Sequence, residues 1–249
     1  MERDVMYSRR VMMTGAGVAA GAVLLGQNAW GQAQSAKEEK RERVEEKEVG
    51  APEELMRQHA VAGRLLLIYD NAANPDSTWA RPSAKALVST AQMIRSTVDE
   101  HHMKLEEEII FPLFQKGGTM TDLVTTLREQ HTVARRVNDA ILRAVEKGES
   151  TTEGSLIRDL RAYTRMLAAH TAYEETSLYP QLRTVVSPEE YERMERTLHE
   201  ADRKKMGPQG FAGLVAKVAE LESTAGITGL AQFTARVGTE RTAMGTPTR

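Results

Sequence analysis

Cysteine is absent from this chain. That absence removes disulfides, thiolate catalysis, cysteine-ligated iron–sulfur clusters and zinc–thiolate sites together. Charge of one sign is not in excess either: the net charge is −2, so no broad basic field invites nucleic acid. No segment sustains the alternation of a half-buried strand, which leaves a sheet without a basis in the sequence. Long hydrophobic runs are also lacking. The strongly apolar part of the N-terminal uncharged run, Ala19 to Leu25, falls far short of the roughly 20 apolar residues that a membrane span needs. What remains is ordinary soluble composition, 41% hydrophobic and 27% charged over 249 residues, enough for one domain with a real core.

The N-terminus carries the signals of location. Ser8, Arg9 and Arg10 precede a Gly- and Ala-rich run without charge from Val11 to Ala36, with small residues at Gly31 and Ala33 where cleavage would fall. Residues 1–33 therefore read as a twin-arginine-like export signal and the protein as periplasmic. Met12 stands where the usual pattern prefers Phe. The alternative is an uncleaved anchor, the one way this chain would touch a membrane. Twin-arginine export carries folded proteins, often with a metal already inserted, so the signal and a buried metal site support each other. Residues 34–51 follow as a charged linker, in which Lys37 to Glu48 holds six Glu against five Lys or Arg.

Helix signals then dominate. Pro52, with Glu53 and Glu54 in the first turn, opens a helix to about Asp70. A second helix runs from Ser83 to Lys116 before Gly117 and Gly118, a third from Thr121 to Lys147 before Gly148, and a fourth from Glu153 to Leu182. Pro112 and Pro180 fall in the last turns of the second and fourth. Ser187, Pro188 and Glu190 make a capped start for a short fifth helix. The fold expected is all-α: an antiparallel four-helix bundle of internally duplicated helix pairs, with a domain over 52–206 and a fifth helix. Residues 207–249 read as a tail with one amphipathic segment, Phe211 to Leu221, then disorder.

The duplication carries the chemistry. His102, Glu106, Glu107, Phe111 and Pro112 recur at the same offsets as His170, Glu174, Glu175, Tyr179 and Pro180. Gln58, His59, Val61 and Ala62 recur as Gln130, His131, Val133 and Ala134. Positions i and i+4 share a helix face, so His102 with Glu106, and His170 with Glu174, reach common points. An approximate two-fold axis between the halves gathers His59, His102, His131, His170, Glu106 and Glu174 at the bundle centre. Two carboxylates in a dry core are costly unless paired or metal-bound, and two cations between them remove that cost. Each cation would take two His and a share of both Glu, leaving open positions. Nitrogen and oxygen donors without sulfur suit iron, manganese or zinc.

These residues resemble the hemerythrin-like, HHE cation-binding family. The segment from His102 to Pro112 closely resembles its His-x-x-x-Glu-Glu-x-x-Leu-Phe-Pro signature, with Ile110 at the Leu position; the segment from His170 to Pro180 repeats it with Tyr179 at the Phe position, and the resemblance covers about residues 52 to 205. It implies a bundle holding two irons joined by oxo or hydroxo bridges, ranking iron above manganese and zinc. It makes His59, His102, His131 and His170 terminal ligands and Glu106 and Glu174 bridges. Blood hemerythrins carry a further His four residues from the one on the third helix. Leu127 and Arg135 occupy those positions here, leaving one iron with an extra open position. That points to sensing, peroxide chemistry or iron handling rather than simple oxygen carriage.

Dioxygen, nitric oxide or peroxide is the ligand expected. The competing readings are a di-iron peroxidase or oxidase, an iron-sequestering stress protein and a metal-free helical interaction module. No catalytic side chain and no organic cofactor site is marked. His101 is expected at the surface or behind a ligand, and Glu107 and Glu175 either behind ligand histidines or solvated. Tyr173 and His199 read as packing and surface. Ile110, Phe111, Leu178 and Tyr179 read as walls of the site, and Met93, Met103 and Met166 as core filler.

Overall fold

The computed structural model describes residues 49–74, 79–149 and 154–234. The export signal, almost all of the charged linker, residues 75–78, residues 150–153 with the expected helix start at Glu153, and the chain after residue 234 lie outside the described residues. Every regular element among the described residues is helical, and no helix there is long and apolar enough to cross a membrane.

Helix α1 is Ala51–Ala73, with Pro52 in its first turn and Glu53 and Glu54 facing the positive helix end. It runs past Asp70, because Asn71, Ala72 and Ala73 are buried. Ser83 caps the next helix by accepting from the Ala86 N–H at 3.1 Å. That helix, α2, is continuous from 84 to 117. It is α-helical over Ala84–Ile94, widens to a π turn over Arg95–His102, tightens over Met103–Leu105, widens again over Glu106–Ile110 and closes as Phe111–Gly117. Gly118 stops it in the left-handed region at φ 61°. Helix α3 is Thr121–Glu146. Helix α4, 155–185, repeats the irregularity: Ser155–Tyr173, a π turn at Glu174–Leu178, a 3-10 turn at Tyr179–Gln181, then Leu182–Val185.

The paired prolines account for the paired π turns. Proline has no N–H and its ring crowds the carbonyl four residues back, so the preceding turn opens. The N–H groups of Phe111 and Tyr179 accordingly donate to the carbonyls of Glu106 and Glu174, five residues back. The Glu107 carbonyl accepts instead from Arg128, at 2.9 Å.

Helices α1 to α4 pack as a ring, each against two neighbours. Helix α5, Pro188–Met206, begins with the expected capping box between Ser187 and Glu190 and lies against α1. Helix α6, Gly210–Thr224, also joins the core: Val218, Leu221, Ala225 and Ile227 are buried in its apolar cluster, and Glu222 takes a two-pronged hydrogen bond from Arg64. The packed unit thus continues beyond residue 206.

Two apolar clusters fill the interior. One holds Val61, Leu65, Met103, Ala134 and Leu167 with α6. The other holds Leu55, Leu105, Phe111, Leu127, Leu178 and the inner face of α5. The first cluster's residues and the second's bracket each repeated histidine in sequence, so the polar side chains form a layer between two dry ones.

Candidate metal centre

All four histidines and both glutamates expected at the centre lie in that layer. Glu106, Glu174 and His131 are 0% exposed, so no bulk water offsets their charge or polarity. His59 comes from α1, His102 and Glu106 from α2, His131 from α3, and His170 and Glu174 from α4. The i,i+4 pairs face one another as the spacing requires, with His102 Nε2 3.5 Å from Glu106 and His170 Nε2 3.2 Å from Glu174. The other two histidines cross to the opposite half: His131 Nε2 is 3.3 Å from Glu106, and His59 Nε2 is 3.3 Å from Glu174. His131 Nε2 and His170 Nε2 are 3.1 Å apart. Two groups of ligand atoms result, each within 4.8 Å: His59, His102, Glu106 and Glu174, and Glu106, His131, His170 and Glu174. The two glutamates belong to both.

Every Nε2 points inward because every Nδ1 is engaged outward. His102 Nδ1 meets Gln58 Oε1 at 3.1 Å, and His170 Nδ1 meets Gln130 Oε1 at 2.9 Å. His131 Nδ1 meets Glu107, and His59 Nδ1 meets Glu175, both at 2.9 Å. Since each outer oxygen accepts, Nδ1 carries the proton of each neutral ring, and in that cation-binding form Nε2 is left with a lone pair. These bonds run once round the bundle: α1 to α2, α2 to α3, α3 to α4 and α4 to α1. The Gln-His and Glu-Glu dipeptides therefore have one logic. One member reaches the centre and the other holds a neighbouring helix's histidine. Glu107 is further braced by Arg135, at 2.8 and 3.1 Å.

Electrostatics divide the cluster. Burial lowers His102 to about 3 and His170 to about 4. Burial also opposes charge on His131, but the Glu106 carboxylate 3.3 Å away and the hydrogen bond to Glu107 outweigh it and raise that ring to about 9. His59 is likewise raised, against burial, by Glu174 and Glu106. Burial and the charge of Glu106 push Glu174 up to about 8. Glu106 also feels burial, but the neighbouring His102 and His131 rings overcome it and hold its carboxyl below the usual range.

These residues fit a pair of cations. Glu106 Oε2, both oxygens of Glu174 and His102 Nε2 are buried without a hydrogen-bond partner among the described residues. The inward contacts of 3.2 to 3.5 Å are longer than ordinary charged hydrogen bonds. They approach the roughly 3.0 Å between adjacent ligands on an ion with bonds of about 2.1 Å.

The model of the hemerythrin HHE cation-binding domain matches residues 51–182 and again 122–233. The chain belongs to the hemerythrin HHE cation-binding family. The two matches begin at the starts of α1 and α3, as an internal duplication requires. Uncharacterized proteins of Mycobacterium tuberculosis and Mycobacterium bovis are 37% identical over 189 residues, covering 75% of this chain and 74% of theirs. No solved structure gives a significant match. Membership in this hemerythrin family implies a bound metal, typically iron, and the buried His/Glu groups are consistent with one.

The hemerythrin duplication is imperfect where it matters chemically. At the repeated aromatic position Phe111 stacks on His131, centroids 5.3 Å apart. Its counterpart Tyr179 instead donates its hydroxyl to Glu106 at 2.5 Å and lies 3.4 Å from His59 Nε2. Tyr179 was expected only as a wall; a buried tyrosine beside a polar cluster is the signal that marks it. Leu127 is closed into the second apolar cluster and Arg135 is tied to Glu107, so neither adds a ligand.

Of the remaining expectations, Glu107 and Glu175 do sit behind histidines, and Met103 is core. His101 is not at the surface: it is buried against Asp202, at 2.5 Å. Tyr173 does not pack, being 60% exposed. Gln58 and Gln130 stand in the repeat, but their role behind His102 and His170 depends on helix packing that spacing does not report.

The prolines offer a test with opposed signs. Pro180→Ala restores a donor and lets the π turn tighten, moving Glu174 out of register. Proline inside a helix is up to about 3 kcal/mol worse than alanine, so the cation-free chain should be no less stable. Cation affinity should nevertheless fall about tenfold, the scale of a displaced supporting group. A chelator-competition titration checks this, and wild-type affinity would show that the turn does not depend on the proline.

Proposed function

We propose that this chain is a non-haem di-iron protein that binds dioxygen or a related small ligand, nitric oxide or peroxide, for sensing or for oxygen or iron handling in the periplasm. The observation that carries the reading is the sharing of Glu106 and Glu174 by two histidine pairs. Each iron would have two imidazoles and a share of both carboxylates, and no fifth histidine completes either position. The choice of iron rests on the family and on the nitrogen and oxygen donors. Bound iron supplies one-electron redox chemistry and open positions for a small ligand. The chain supplies the rest: Leu127 and Phe111 exclude water, the Nδ1 acceptors fix the rings, and Tyr179 holds a proton at its hydroxyl beside the His59 position. That proton is also what favours a second reading, peroxide turnover, at the same centre. The periplasmic part of the reading is supported by Arg9 and Arg10 before the uncharged run.

Protein expressed with iron should carry two irons per chain and absorb in the near ultraviolet by charge transfer, with a spectrum that changes on adding dioxygen or nitric oxide. No bound transition metal would defeat the proposal. A spectrum indifferent to every small ligand, with slow iron release, would turn it into a store. Sustained consumption of added peroxide would turn it into an enzyme.

A further inference from the structure

The two cation positions are braced differently from outside the four-helix ring. Behind His102, Gln58 offers its Oε1 to the ring Nδ1 and its Nε2 to Asp202 Oδ1 of α5, at 3.0 Å. The same Asp202 oxygen receives His101 Nε2 at 2.5 Å. Asp202, Gln58, His101 and His102 are all buried. Behind His170 the equivalent amide is Gln130, and no hydrogen bond among the described residues fixes its Nε2 in this way. Helix α5 therefore reaches one half of the centre and not the other.

The consequence is a chain of forced choices. A glutamine amide presents an oxygen at one end and an N–H₂ at the other, and a half-turn exchanges them. A carboxylate only accepts, so Asp202 obliges Gln58 to face it with Nε2. That leaves Oε1 facing His102, which obliges Nδ1 to carry the ring proton and leaves Nε2 as a bare lone pair at the centre. The opposite amide orientation would put the proton on Nε2, where it blocks a cation. We propose that Asp202 is a positioning residue that sets the tautomer of His102 through Gln58, making the His59/His102 position depend on α5 while the His131/His170 position does not. This rests on the reading of the six residues as ligands to two cations.

Asp202→Asn is the decisive variant, because it keeps the shape and replaces an obligatory acceptor with a group that can also donate. Cobalt(II) is the probe, titrated into the full chain against a competing chelator, with proton NMR of the loaded protein reading the exchangeable imidazole N–H signals. The wild-type chain should bind two ions and show one such signal for each of the four histidines. In the variant one ion should bind ten- to a hundredfold more weakly, the usual cost of losing a partner behind a ligand. Only the signal that disappears in His102→Ala should broaden or be lost. Leu198→Ala, which loosens α5 packing without touching the hydrogen bonds, should leave both affinities and all four signals in place. If Asp202→Asn folds poorly, Asp202→Ala gives the same reading, since it also frees the Gln58 amide. Unchanged affinity for both ions, equal weakening of both, or a Leu198→Ala effect matching that of Asp202→Asn would overturn the inference. A wild-type chain that binds no cobalt(II) would instead overturn the metal-site reading beneath it.

Discussion

Glu174→Gln should empty both cation positions at once, and in the cation-free chain it should raise stability. The first effect follows from sharing: Glu174 belongs to both ligand groups, so its loss takes an oxygen donor from each. His170→Ala, by contrast, leaves the group of His59, His102, Glu106 and Glu174 whole. The loss shows as stability because a ligand that binds only the folded state adds about 2.7 kcal/mol when free ligand is a hundredfold above Kd. The second effect comes from the carboxyl itself. Burial and the neighbouring charge of Glu106 raise Glu174 from 4.5 to about 8. A raised acid stabilises the fold fully below its unfolded value and loses that contribution as pH rises through the folded one. At pH 7, between those two values, that contribution is already being lost. Glutamine fills the same space without that loss, so the chelator-treated variant should melt higher than chelator-treated wild type at pH 7, and no higher at pH 4. Ion counting and thermal melts with and without chelator measure both effects. A variant that keeps both ions, or that melts lower when stripped, would remove Glu174 from the bridge.

Loading the centre should expel protons, because each cation position pairs one raised histidine with one lowered histidine. At pH 7 the cation-free chain holds protons on His131, raised to about 9, and on Glu174, raised to about 8. His102 and His170, lowered to about 3 and 4, are already neutral ligands. Binding requires deprotonated donors, so about two protons should leave per loaded chain at pH 7, with His59, also raised, adding to them. Titration calorimetry in buffers of different ionisation enthalpy counts these protons; an enthalpy independent of buffer would contradict the ligand set.

The stability of the stripped chain follows from the same values. The lowered histidines contribute stability that is present above 6.5 and lost as pH falls through their folded values. The raised His131 contributes stability present below 6.5 and lost as pH climbs to about 9, and Glu174 adds to that loss. The raised carboxyls of Glu174 and Asp99 offset the lowered histidines between about pH 4.5 and 6.5, so stripped protein should hold its stability there and decline above pH 6.5. Bound cations compete with the protons and should flatten the alkaline decline. Melting curves across pH, with and without metal, should show the difference.

Sequence alone determined the features that rest on local periodicity. Helix starts at Ser83 and Ser187, the stop at Gly118, the i,i+4 pairing of His102 with Glu106 and His170 with Glu174, and the duplication all depend on residues within a few positions of each other. Local spacing reports which face of a helix a side chain occupies, and buried carboxylates at matched offsets call for a cation. Only the tertiary structure decided what stands behind each ligand. Gln58 and Asp202 are 144 residues apart, and His59 and Glu175 are 116 apart. Such partners meet through the rotation and register of packed helices, which no single helix encodes. The same holds for Tyr179 turning its hydroxyl to Glu106 where Phe111 stacks on His131, and for α6 closing the core. A chemical centre can be written in repeats along a chain, but its asymmetry arises from whichever helices happen to lie alongside it.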